Sequence, residues 1–114
     1  MLIYALLVFG IGAIGGLVLA SSVLRGNLAP WAVSLLHAAL GATGLVLLLV
    51  AIADGAANPA KLAFGLLLVA ALGGFFLASF HLRKALPPRG VVFLHAGLAV
   101  AGFLTLAGTA LGMI

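Results

Sequence analysis

Four apolar runs, each long enough to cross a bilayer and parted only by short polar breaks, constrain this chain more than any other feature. They cover about Leu2–Leu24, Leu28–Ala53, Ala60–Leu82 and Arg89–Gly112. A helix needs about 20 apolar residues to span ~30 Å of hydrocarbon. The other spanning structure, a closed barrel, is written as alternating segments of about ten residues, and none occur here. Only 5% of the 114 residues are charged, against about a quarter in average domains, which excludes a soluble globule. The first run has no basic leader and similar runs follow it, so it reads as a retained span, not a cleaved signal peptide.

The breaks are chemically legible. Arg25, Gly26 and Asn27 end the first run, and Pro30 suits the first turn of the second. Asp54 and Gly55 stop the second run, and Asn58 followed by Pro59 offers an N-cap with proline at the first helical position. Connections this short force neighbouring helices to run antiparallel. The expected fold is therefore all-α, an up-down bundle of four transmembrane helices in a single domain, 1–114.

The chain also repeats. Leu36-His37-Ala38 returns as Leu94-His95-Ala96, and the same 58-residue offset aligns Gly15-Gly16 with Gly73-Gly74, Arg25 with Arg83 and Pro30 with Pro88. Without a gap, 15–54 set on 73–112 gives 16 identities in 40 positions. Histidine, arginine and proline falling in phase are hard to reach by chance in a small apolar alphabet. The reading is two copies of one helix pair, 1–57 and 59–114. A direct repeat with an even number of helices keeps its orientation, so the copies should be related by a pseudo-twofold axis along the membrane normal.

Charge fixes the expected sidedness. Arg25, Arg83, Lys84 and Arg89 fall in the first and third connections, whereas Lys61 and Asp54 roughly cancel on the other side. The excess of basic residues in cytoplasmic loops predicts a bacterial-type inner membrane with both termini outside. Five basic residues at segment ends are not the footprint of a nucleic-acid binder. With no cysteine, disulfides, thiolate metal sites and thiol nucleophiles are excluded.

An ionisable residue deep in lipid is costly and marks function by default. His37 lies seven residues past Pro30 and His95 seven past Pro88, each about 10 Å in at 1.5 Å per residue. The second and fourth helices of an up-down bundle face each other diagonally, so the two imidazoles can point at one centre from opposite sides. That is the layout of a bis-imidazole axial site around a flat ring. Room comes from small residues on single faces: Gly41 and Gly44 beside His37, Ala99 and Gly102 beside His95, and Gly16 and Gly74 on the first and third helices. Arg25 and Arg83 end those helices on the same side, where they can pair with carboxylates such as haem propionates. Phe75, Phe76, Phe93 and Phe103 can pack on the ring edges. The expected partners of the imidazoles' second nitrogens are Ser34 or the carbonyl of Val33 for His37, and the carbonyl of Val91 for His95.

This layout resembles the four-helix haem core of cytochrome b in the quinol-oxidising complexes. That family carries axial histidines on its second and fourth helices and close-approach glycines on its first and third. The resemblance implies haem b ligated by His37 and His95, with Gly16 and Gly74 against the ring. It implies electron transfer, with a quinone or a redox protein as partner. The family also has a second histidine on each ligating helix and a second haem. Those positions here, around Val50 and Gly108, are apolar or small, so one haem is the expectation.

Other readings stay open. Small-residue stripes are the ordinary means of close approach between membrane helices, and a membrane histidine can simply bond a carbonyl or serine across the bundle, or hold another metal or a proton. Arg25 and Arg83 also suit the role of snorkelling anchors, His81 that of an exposed end-of-helix residue, and Trp31 and Tyr4 that of interface anchors. The rival functions are a small transporter or channel and a cofactor-free structural subunit of a homo-oligomer or larger membrane complex. Small four-helix multidrug exporters depend on a carboxylate within the first helix. The only carboxylate side chain here is Asp54, at a helix end, and the two asparagines lie in connections. A reporter that is active only in the cytoplasm, fused after Ile114, is expected to be silent. Activity there would overturn the sidedness.

Overall fold

The computed structural model describes all 114 residues and consists of four helices joined by short connections: α1 (Leu2–Leu24), α2 (Trp31–Ala53), α3 (Pro59–Leu82) and α4 (Arg89–Ala110). No strand is present. Each helix has 22 to 24 residues, enough at 1.5 Å per residue for ~30 Å of hydrocarbon, and all four are long and apolar enough to cross a membrane. They form an antiparallel up-down bundle with long axis 43 Å. Each helix packs on its sequence neighbour within a pair, and the pairs meet through α1 with α4 and α2 with α3.

Only 14 of the 114 residues are buried, while Leu17 and Phe75 are 71% and 68% exposed. In water that much apolar surface would drive association; in lipid it faces its natural solvent. The chain is an integral membrane protein.

The second helix starts three residues later than its apolar run, because Pro30 takes the N-cap position with extended backbone (φ −60°, ψ 139°). Leu28 and Ala29 belong to the connection. Pro88 does the same for α4. Asn58 caps α3 without a side-chain hydrogen bond, and Pro59 occupies the first turn.

Packing is uneven along the bundle. At the end holding the termini and the α2–α3 connection, Ala5, Leu48, Ala60, Ala63, Leu67 and Leu106 form one buried cluster. Alanines let the backbones approach there, and Leu48 and Leu106 fill the centre with no exposure. Toward the other end the helices part around a cavity.

All four helices end in the same turn. After α1, the amide of Asn27 donates to the Ser22 carbonyl and that of Gly26 to Val23, with Gly26 at φ +84°. After α3, Ala85 donates to Phe80 and Lys84 to His81, but the left-handed residue is Lys84 at φ +55°. This is the Schellman arrangement, in which glycine avoids the clash of a Cβ with the following carbonyl. Lys84→Gly should therefore stabilise the bundle by ~1 kcal/mol and Gly26→Ala destabilise it by a similar amount, measured as opposite shifts in thermal unfolding in one detergent.

Candidate functional site

The cavity has a volume of about 540 Å³, within the ~300–1,000 Å³ common for small-molecule and cofactor sites. Its lining is apolar or glycine except for four side chains: Ser34, His37, His81 and His95. Its floor is closed by equivalent contacts in the two pairs. A Cβ on Gly44 would stand 2.7 Å from the Phe9 ring, and one on Gly102 would stand 2.7 Å from Leu67. Below this floor lies the buried cluster, so the lower half of the bundle is filled by its own side chains.

His37 and His95 meet inside the cavity. Their ring centres are 6.3 Å apart and their planes cross at 81°. Each Nδ1 is tied to a carbonyl on the other helix of its own pair: His37 to Gly12 at 2.8 Å and His95 to Ala70 at 2.6 Å. Gly12 and Ala70 are themselves 58 positions apart, as the histidines are. The anchors expected from sequence, Ser34 and the Val33 and Val91 carbonyls, are displaced by these. The reason is that the imidazoles project sideways onto α1 and α3, where glycine opens the way.

The chemistry of the bond fixes the tautomer. A carbonyl can only accept, so Nδ1 carries the proton and donates. The neutral ring then presents its Nε2 lone pair, and neither Nε2 has a hydrogen-bond partner in the protein. Histidines that bind metals are commonly held this way, the second nitrogen donating to a backbone carbonyl.

Gly16 and Gly74 make that placement possible. A Cβ on Gly16 would come within 2.9 Å of His37 Cε1, and one on Gly74 within 3.2 Å of His95 Cε1. Both line the cavity, and each lets an imidazole lie against its helix. Gly41 also lines the cavity, but a Cβ there meets nothing within 4 Å. Phe75 and Phe103 are on the wall. Phe76 instead packs edge-on against Phe80, and Phe93 is 61% exposed.

The arginines lie elsewhere. Arg25 and Arg83 are exposed, and each donates from Nε to the carbonyl four residues back, Ser21 and Ser79. The Arg83 guanidinium also sits 4.5 Å over the Phe80 ring. Neither lines the cavity. His81 corrects the sequence expectation: it is half-buried at the cavity mouth. Its ring stacks on Trp31 with centres 3.9 Å apart and planes at 4°, and its Nδ1 lies 3.1 Å from Ser34 Oγ. A signal for this cluster was present in the sequence. Trp31, Ser34 and His81 all sit where the two copies differ, opposite Arg89, Val92 and Val23.

No protein-family model matches this chain, nor does any curated protein or solved structure. Its chemistry is therefore argued from the site alone.

Gly16→Val should push the His37 ring off its carbonyl and cost ~1–3 kcal/mol by overpacking, whereas Gly41→Ala should be close to neutral. Unfolding in detergent followed by circular dichroism measures both.

Proposed function

We propose that this chain is a small integral membrane b-type haem protein for electron transfer, with His37 and His95 as the axial ligands of one haem. The carrying observation is the pair of imidazoles, tautomer-fixed by Gly12 and Ala70, with ring centres 6.3 Å apart across an apolar cavity. Two metal–imidazole bonds of about 2.0–2.1 Å, plus ~1 Å from each nitrogen to its ring centre, put such centres about 6 Å apart. The separation fits two rings sharing one metal.

The donor set favours a metal that brings its own equatorial ligands. A bare Zn²⁺ site wants three or four protein ligands, and no third histidine or acidic side chain joins His37 and His95 in a metal-sized cluster. A porphyrin would bring its own ring nitrogens to the iron, and His37 and His95 would be the two residues that hold it. A haem held there would supply one-electron redox chemistry, its potential set by axial ligands, hydrogen bonding and burial.

The chain's own residues have distinct tasks in this reading. The Gly12 and Ala70 carbonyls orient the imidazoles and fix which ring nitrogen is left free. Gly16 and Gly74 admit the rings, and Gly41 leaves space beside His37. Phe103 and the aliphatic wall keep water from the centre. The likeness in layout to the cytochrome b haem core agrees with this assignment, as does the packed lower half, which leaves room for a single cofactor. The bilayer is the partner the surface calls for. The electron partners belong to the same proposal: a quinone in a bacterial-type inner membrane, or a redox protein at the basic end.

The test is to purify the protein in mild detergent from cells supplied with haem precursor and record oxidised and reduced spectra. The expected result is a Soret band and a sharp reduced α-band that are lost in His37→Ala and in His95→Ala, while helical content remains. A colourless, folded wild-type protein would refute the proposal and leave two histidines that only tie helices together.

A further inference from the structure

The two copies agree at the facing histidines and differ at the corners above them. Between α2 and α3, His81 lies flat on Trp31 and shares a hydrogen bond with Ser34. Between α4 and α1, the equivalent positions are Arg89, Val23 and Val92. There Val23 and Val92 give the cavity an apolar lining, and Arg89 turns away to donate to the Leu24 carbonyl at 3.0 Å. The cavity lining thus has hydrogen-bonding side chains at one corner of the mouth and only valines at the other, Arg89 lying outside it. A ligand matched to this cavity is apolar over most of its surface and polar along one edge.

We infer that His81 and Ser34, backed by Trp31, form a carboxylate subsite of this cavity that takes the propionate edge of the haem; this rests on the haem reading above. With Nδ1 accepting from the Ser34 hydroxyl, the His81 ring carries its proton on Nε2 and has that N–H left for an anion. That Nε2 has no partner in the protein. The indole face under the ring, 3.9 Å away and parallel within 4°, fixes the direction of the free N–H. Ser34 lies three residues before His37 on the same helix face, about 4.5 Å along the axis, so a group held at His37 and reaching toward the mouth passes this corner. No carboxylate side chain competes, because the only one, Asp54, is at the opposite end of the bundle. Arg25 and Arg83 hold their own helix ends outside the lining.

The experiment titrates haem-free protein in detergent with haem b and with its dimethyl ester, in which both carboxylates are blocked. The ratio of the two affinities is compared between variants, so that detergent partitioning of the probes cancels. Wild type should bind haem b about tenfold more tightly than the ester, the scale of one charge-assisted hydrogen bond. His81→Phe keeps a ring on Trp31 without an N–H and should level the two affinities while leaving the bis-histidine spectrum intact. His81→Lys should restore the preference, and Arg25→Gln with Arg83→Gln should leave it unchanged. Equal affinities in wild type, a preference that survives in His81→Phe, or one lost only with the arginines would overturn the subsite and leave the haem reading standing. Uptake of neither probe would overturn both.

Discussion

The hydrogen bond from each histidine to a carbonyl of the paired helix is the constraint on which the upper half of the bundle depends. In lipid an unsatisfied polar nitrogen costs several kcal/mol and no water is at hand, so each imidazole must find an acceptor within the bundle. It finds one at Gly12 or Ala70, carbonyls whose own helical hydrogen bonds leave a second lone pair free. Reaching them brings the ring edge against α1 or α3, which is possible only where the backbone has no Cβ. Gly16 and Gly74 are consequences of the histidines in this sense. The bonds also decide which nitrogen is left over, on two rings that both line the cavity.

The two ends of the bundle differ in packing. At the termini end, alanine contacts and the buried Leu48 and Leu106 give close packing, which is how helices associate when lipid supplies no hydrophobic drive. At the other end, Phe9 on Gly44 and Leu67 on Gly102 seal the floor, and the small residues above leave the space between the helices unfilled. A rigid lower half can keep two side chains in register across an opening that would otherwise collapse. Preorganisation of this kind is what a tightly held cofactor needs.

Much of this was legible in the sequence, for identifiable reasons. Length and hydropathy force helices in lipid, and short connections force antiparallel neighbours, so the spans emerge within a few residues. The exceptions are physical: Pro30 cannot donate to the turn before it and sits outside α2 as its cap. The facing of His37 and His95 followed from the repeat and their equal depth. The anchors did not follow, because the direction in which a helical side chain leans depends on which neighbour is open, and Gly16 was read as space for a ligand before space for the ring. The His81 corner is hard to read in advance because Ser34 on α2 and His81 on α3 stand 47 residues apart in sequence.

The central claim is that His37 and His95 bind one iron from opposite sides with their planes nearly perpendicular. Electron paramagnetic resonance of the oxidised, haem-loaded protein tests it most directly. Crossed imidazole planes at 81° predict a low-spin ferric signal of the strongly anisotropic kind, from one haem per chain, that disappears in either histidine variant. A high-spin ferric signal in the wild type, the mark of iron with a single imidazole or none, would contradict the account.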